Sequence, residues 1–240
     1  VVEASAFGGE VIYLEGQSPH AMPSINSIEE CRDVAMPDVK RSGLMPELLK
    51  GWEYFWKNLD PYYVKEYGYL DGGASIFGPI ETAGQVLGYD TFFIALYDKP
   101  DLVHSFLDRL TDMLIVWLEA HQEINGKLKR ISITDHMAGQ ISREHYIEYY
   151  IPYLRRICDA FPEAIRLYHN ESNIEHVLDI IPDLGADIFH FGIDVEKTKK
   201  TIGEKICLMG AVHSQEFLLW KGPDDVYEES RRQIPRCGKG

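Results

Sequence analysis

The chain has 240 residues, of which 45% are hydrophobic and 26% charged, a balance typical of a globular protein with enough apolar residues for a core. Its formal net charge of −14 argues against a nucleic-acid partner, because phosphate backbones are bound by clusters of lysine and arginine. The apolar runs fall far short of the roughly 20 residues that cross a bilayer, and four scattered cysteines favour a reduced, cytoplasmic location without a membrane partner.

The first hundred residues contain an irregular succession of elements. EVIYLEG (10–16) and GGASIFG (72–78) are predicted strands, and MPELLKGWEYFWKNLD (45–60) is a predicted amphipathic helix. A Gly-Pro turn at 78–79 precedes short helices. Pro100 then opens a longer helix whose apolar side chains recur along one face.

From about residue 130 the pattern alternates regularly between strand and helix. The predicted strands are 130–134, 164–168, 186–191 and 206–210. The predicted helices are 142–161 (with Ser142 as N-cap and a bend at Pro152), 173–185, 194–203 (with Asp194 as N-cap) and 223–234. Four consecutive strand–helix units predict parallel strands with crossover helices. Two α/β architectures fit, a closed (β/α)8 TIM barrel and an open doubly wound sheet.

No predicted strand is followed by a Gly-x-Gly-x-x-Gly turn, and this weakens the nucleotide-binding open sheet. No linker or internal repeat divides the sequence. We therefore expect residues 1–240 to form one barrel-type domain. Because the chain begins and stops abruptly, we also expect that parts of the barrel are missing at both ends.

Histidines and carboxylates occur at or near the ends of four successive predicted strands. They are Asp135 with His136, His169 with Glu171, His190, and His213. In parallel α/β folds, ligands bind beyond the carboxyl ends of the strands, so these side chains are expected to converge. The other histidines fall on predicted loops or helix faces, where solvent exposure is expected. They are His20, His104, His121, His145 and His176.

Imidazole and carboxylate ligands suit zinc, iron or manganese better than calcium. Two histidines and one glutamate are a known ligand set for catalytic zinc, with a fourth position left open. His169, Glu171 and His213 are therefore predicted to bind a metal ion.

The alternative chemistry needs no metal. Asp135 and His136 are predicted catalytic residues that could transfer a proton to or from a bound substrate. Asn173 and His190 are predicted to contact a small-molecule substrate, although His190 could also face the core from its position within a strand.

Three segments together resemble the uroporphyrinogen decarboxylase superfamily. They are FGPIETAGQVLGYDTFFIALYDKPDLVHSFLDRLTD (77–112), DHMAGQISREHYIEYYIPYLRRICDAF (135–161) and ICLMGAVHSQEFLLWKGPDDVYEESRRQI (206–234). Their order and spacing match that superfamily over nearly the whole chain. The resemblance implies a (β/α)8 barrel with its active site at the carboxyl ends of the strands. It also implies one of two chemistries.

The first implied chemistry is methyl transfer between a corrinoid protein and a thiol, in which zinc activates the thiol. In that branch a His-x-Cys pair supplies two zinc ligands. His169 matches the histidine, and Glu171 stands in place of the cysteine. This resemblance makes zinc the expected cofactor and a corrinoid protein the expected partner. Asp135 would then orient a ligand.

The second implied chemistry is cofactor-free decarboxylation of uroporphyrinogen or a related polycarboxylate in porphyrin metabolism. At the position where that branch has a substrate-binding serine, this chain has His136. The nearest arginines for substrate carboxylates are Arg143 and Arg166. A third hypothesis is a non-catalytic barrel that binds a corrinoid, a tetrapyrrole or a partner subunit.

Overall fold

A computed structural model describes residues 1–67, 72–210 and 212–237. The strands are β1 Val11–Ile12, β2 His20–Ala21, β3 Gly73–Phe77, β4 Arg130–Thr134, β5 Ile165–Asn170, β6 Ile188–Phe191 and β7 Cys207–Met209. The α-helices are α1 Val2–Ser5, α2 Met45–Asn58, α3 Pro61–Tyr67, α4 Pro79–Leu87, α5 Tyr89–Asp98, α6 Pro100–Asn125, α7 Arg143–Tyr149, α8 Ile151–Ala160, α9 Val195–Ile202 and α10 Pro223–Cys237. Three 3-10 segments (Glu30–Arg32, Met137–Gln140 and Glu175–Leu184) and a π-helical segment (Ser214–Leu219) complete the description.

Strands β3 to β7 form one five-stranded sheet in which every neighbouring pair is parallel. Their order in the sheet is their order in the chain. A doubly wound sheet reverses its strand order at a switch point, whereas successive units of a barrel do not. The α/β prediction is confirmed, and the strand order agrees with the barrel of the two architectures considered.

The predicted strand at 10–16 is mostly wrong. Only Val11–Ile12 is extended, and it pairs with β2 in a separate antiparallel ribbon. The side chains that follow, Tyr13 and Leu14, are 70% and 48% exposed. The apolar run therefore faces solvent over its second half, and no buried surface supports a longer strand.

The two faces of the five-stranded sheet differ in burial. One face carries buried side chains that join the hydrophobic core, among them Ile76, Ile133, Tyr168 and Phe189. On the opposite face the side chains are half-buried or exposed. They include a row in register across the five strands, formed by Phe77, Thr134, His169, His190 and Met209. Two of the predicted site histidines thus lie side by side on this second face.

The predicted helix at 142–161 is two helices, α7 and α8, separated at Tyr150. Pro152 has no backbone N–H for the carbonyl of Glu148, so the helix breaks there rather than bending smoothly. The predicted cap is present, because Ser142 Oγ accepts a hydrogen bond of 3.2 Å from His145 N. This cap fixes where the chain turns from the end of β4 into α7.

His121 is not exposed, contrary to the prediction. Its side chain on α6 is 1% exposed and packs edge to face against Trp117, with ring centroids 4.4 Å apart. Trp52 on α2 contacts the same imidazole with a centroid distance of 6.4 Å. His121 is therefore a core residue that links α2 to α6.

Within the described ranges, the helices lack the combination of length and apolar character needed to span a bilayer.

Candidate active site

The residues of the candidate site come from three successive strand ends. His169 lies within β5, which extends to Asn170, two residues beyond the predicted end. Glu171 follows β5 directly, and His190 occupies the position on β6 that pairs with His169. His136 opens the 3-10 turn after β4. Parallel pairing brings these four side chains to one edge of the sheet.

His136, His169 and Glu171 form the candidate metal site. One ligand atom from each residue lies within 4.8 Å of the others. His136 Nε2 and His169 Nε2 are 3.1 Å apart. Two nitrogens that share a tetrahedral zinc ion at about 2.05 Å lie about 3.3 Å apart. The spacing and the donor set therefore fit a zinc ion, with Glu171 as the third ligand.

The surroundings of the His169 imidazole favour its neutral form. Burial lowers its pKa below the ordinary value of 6.5, and the neighbouring rings of His190 and His136 lower it further. The Glu171 carboxylate acts weakly in the opposite direction. A neutral imidazole keeps a nitrogen lone pair, which is the form that binds a metal ion.

His190 contacts His169 on the side away from His136. The Nδ1 atoms of His169 and His190 are 2.5 Å apart, and their rings stack with centroids 4.6 Å apart. His190 Nε2 lies 3.9 Å from Glu171 Oε1. His190, which is predicted to bind substrate, therefore lies against the candidate metal site, although it is not one of the three converging residues.

Asp135 is fully buried next to the candidate site, and its carboxyl group does not reach the solvent-exposed side of that site. Its side chain is 0% exposed, and its two carboxylate oxygens accept hydrogen bonds from Ile80 N at 3.0 Å and Ala138 N at 3.1 Å. A Cβ on Gly78 would come within 2.9 Å of Asp135 Cβ, so only glycine fits there. A direct catalytic role for Asp135 does not fit this enclosure. Its contacts instead fix the turn that carries His136.

Glu81 on α4 supports the same turn and was missed by sequence reasoning. Glu81 Oε2 accepts a hydrogen bond of 3.1 Å from Met137 N, and its Oε1 accepts one of 2.9 Å from the Tyr89 hydroxyl. Burial and the nearby Glu81 carboxylate raise the pKa of Asp135 well above its usual range. The only feature of the sequence that pointed to Glu81 was its position two residues after the Gly-Pro turn at 78–79.

Asn170 and Ser172 hold the segment around Glu171. Asn170 Nδ2 donates to the backbone oxygen of Asp135 at 2.6 Å, and Asn170 Oδ1 accepts from Ser172 N at 2.9 Å. Ser172 Oγ donates to the backbone oxygen of His136 at 3.2 Å. These hydrogen bonds connect the end of β5 to the end of β4. The polar residues Asn170 and Ser172 therefore have a structural role.

Two further predicted site residues, His213 and Asn173, also lie outside the candidate metal cluster. His213 is exposed, and its Nδ1 accepts a hydrogen bond of 3.2 Å from Glu216 N, so it caps the π-helical segment. It is not among the three residues that converge, and His136 takes the place predicted for it. Asn173 is also exposed, and its side chain accepts from Glu175 N at 3.2 Å beside an open groove.

A parallel sheet of barrel type with a histidine–carboxylate cluster at its carboxyl edge defines the class as an α/β-barrel protein with an enzyme-like site. The family model for uroporphyrinogen decarboxylase (URO-D) matches residues 1–239, and the chain belongs to that family. The resemblance noted in the sequence is thereby confirmed. The family contains both decarboxylases and methyltransferases, which supports an enzyme.

Curated relatives cover the chain at low identity. The uroporphyrinogen decarboxylase of Chlorobaculum parvum is 22% identical over 100% of this chain and 68% of its own length. That of Chlorobaculum tepidum is 25% identical over 60% of this chain and 41% of its own length. The matched region is thus between about two fifths and two thirds of these relatives.

A methyltransferase from Methanosarcina mazei has the same fold. It superposes with a TM-score of 0.82 at 21% sequence identity, over 98% of this chain and 68% of that chain. This similarity, together with the family match, confirms the predicted barrel class for the described strands.

Proposed function

We propose that this protein is a zinc-dependent methyltransferase that transfers a methyl group between a corrinoid partner protein and a small thiol. The observation that carries the proposal is the 3.1 Å separation of His136 Nε2 and His169 Nε2, with a Glu171 oxygen in the same cluster. When bound, zinc acts as a Lewis acid that lowers the pKa of a thiol and makes it nucleophilic at neutral pH.

The chain's own residues supply what this chemistry needs. His136 and His169 are half-buried, and the Glu171 side chain is 37% exposed, so the cluster is open on its solvent side. A small thiol can therefore reach it directly. Burial keeps His169 neutral and able to bind metal. Glu171 contributes an oxygen where the methyltransferase branch has sulfur, and this makes the site harder.

The shared fold with a protein described as a methyltransferase supports methyl transfer. Decarboxylation of uroporphyrinogen or a related polycarboxylate is the second candidate, and the family's own description supports it. That substrate needs cationic partners. Arg143 is engaged by Asp179 in two hydrogen bonds, and Arg166 is engaged by Asp187. The two arginines nearest by sequence are thus committed to carboxylates of the chain itself.

Zinc titration of the purified chain and of His169→Ala tests the proposal. We expect the wild-type chain to bind one zinc ion. Loss of a ligand should weaken binding by more than the roughly 10–100-fold that follows removal of an outer-shell partner. Calorimetry with a competing chelator measures both affinities, and elemental analysis measures the zinc content.

His20→Ala is the matched control, because His20 is an exposed histidine in the separate β1–β2 ribbon. Its zinc affinity should equal that of the wild-type chain. A folded wild-type protein that binds no zinc would contradict the proposal. Turnover of uroporphyrinogen that is insensitive to chelators would support decarboxylation instead.

A further inference from the structure

His190 has no assigned task in the proposed zinc site, yet its contact with His169 is the shortest in the cluster. The two Nδ1 atoms are 2.5 Å apart, which is shorter than the usual range for an N–H donor, so two nitrogens this close need a hydrogen between them. Only one of the two nitrogens can carry the hydrogen in such a bond between neutral imidazoles. The choice between the two arrangements decides which nitrogen of His169 is left with a lone pair.

The geometry around His169 Nε2 decides between these arrangements. This nitrogen lies 3.1 Å from His136 Nε2, and both residues belong to the converging cluster. It is therefore the nitrogen of His169 that is placed to bind a metal ion, and it must carry a lone pair to do so. The hydrogen of His169 is then on Nδ1, and His190 Nδ1 is its acceptor. Metal-binding histidines commonly donate their second N–H to a carboxylate or a backbone carbonyl, which fixes the tautomer and the ring direction.

We propose that His190 is the positioning residue of this site, which holds His169 as the Nδ1–H tautomer and directs its Nε2 lone pair into the metal cluster. The inference rests on the proposed zinc site for its purpose, but the tautomer itself is a property of the chain. An imidazole here takes the place that a carboxylate or a carbonyl usually has.

The His190 ring is itself held in place from two sides. His169 and His190 are register partners on adjacent parallel strands, and their rings are inclined by only 28°. On the other side lies Gly210, where a Cβ would come within 3.1 Å of His190 Cδ2 and 3.4 Å of its Nε2. Gly210 has φ of +122°, which favours glycine as well. The ring is therefore confined between His169 and the backbone after β7.

Three substitutions of His190 distinguish the effect of its hydrogen-bond acceptor from the effect of its side-chain volume. In His190→Asn the side-chain oxygen takes the position of Nδ1, whereas in His190→Gln the terminal amide lies near the position of Nε2. His190→Phe keeps a flat ring but has no acceptor, and it puts a C–H group where Nδ1 lies in the wild-type chain. Circular dichroism and thermal unfolding show whether each variant folds like the wild-type chain.

The first measurement is the tautomer of His169 in the zinc-free full chain, by imidazole ¹⁵N NMR assigned with His169→Gln. We expect the Nδ1–H form in the wild-type chain and in His190→Asn, and a mixture with the Nε2–H form in His190→Phe and His190→Gln. The second measurement is zinc affinity. We expect it to fall 10–100-fold in His190→Phe and His190→Gln and to change less than about threefold in His190→Asn.

An Nε2–H tautomer in the wild-type chain would overturn the inference. So would equal loss of zinc affinity in all three variants, because His190 would then act as a ligand or only as a packing residue. Failure of the zinc proposal is distinguishable from this outcome. Suppose that the wild-type chain binds no zinc, that His169 has the Nδ1–H tautomer, and that His190→Phe loses this tautomer. The positioning role of His190 is then supported, and only the proposal of a zinc site is refuted.

Discussion

Replacing Asp135 by alanine is expected to lower the free energy of unfolding by about 3 kcal/mol. The substitution leaves the backbone N–H groups of Ile80 and Ala138 buried without their acceptors. Each orphaned donor costs roughly 1–3 kcal/mol. Part of this cost is offset, because burial and Glu81 raise the pKa of Asp135 and so make its charge unfavourable there. Urea unfolding monitored by circular dichroism measures the difference.

Asp135→Asn is the matched variant. The amide has the shape of the carboxyl group and keeps one acceptor oxygen, so it satisfies one of the two N–H groups while its NH2 faces the other. We expect it to cost less than Asp135→Ala, because it also leaves no cavity. Equal unfolding free energies for the wild-type chain and the alanine variant would mean that Asp135 does not hold the turn that carries His136.

The wild-type chain should lose about 3 kcal/mol of stability between pH 6.5 and pH 4 because of His121 alone. Burial between Trp117 and Trp52 lowers the pKa of His121 from 6.5 to about 4. The unfolded chain therefore takes up a proton before the folded chain does. The contribution is fully present above pH 6.5 and is lost as the pH falls towards 4. Among the described residues, neither ring nitrogen has a hydrogen-bond partner that could stabilise the charged form.

His121→Phe tests this origin, because phenylalanine keeps an aromatic ring and does not titrate. The variant should show a flatter dependence of unfolding free energy on pH across this window, measured by urea unfolding at several pH values. His20→Gln, which changes an exposed histidine, should leave the dependence as in the wild-type chain. Parallel curves for the wild-type chain and His121→Phe would refute the assignment.

The sequence was sufficient for the alternating part of the fold because local pattern and tertiary structure agree there. The run at 130–134 is β4 to the residue, and Asp194 caps α9 as predicted, with its Oδ1 2.7 Å from Lys197 N. His169 and Glu171 were placed correctly at the end of β5 because a strand end needs only the apolar run before it to be recognised.

The errors concern residues whose surroundings come from distant parts of the chain. His121 follows Trp117 by four residues and so continues the apolar face of α6; the prediction of exposure rested on its polar ring alone, and α2 covers that ring with Trp52. His213 follows β7 by four residues, and its ring turns to a backbone N–H of the next segment instead of the cluster. The contact of His136 with His169 depends on Glu81 and Asp135 holding one turn. No local pattern encodes the contacts of His213 and His136.

The in-register pairing of His169 and His190 also has an entropic consequence. Their backbones are fixed by the β5–β6 ladder, and their rings restrict each other, so both side chains have lost most of their rotational freedom before any ligand arrives. Glu171 follows the strand and is 37% exposed, so it retains that freedom. Immobilising one such side chain costs about 1 kcal/mol. If the proposed ion binds at this edge, chiefly one carboxylate has to become ordered, and most of the free energy of coordination is then available for affinity.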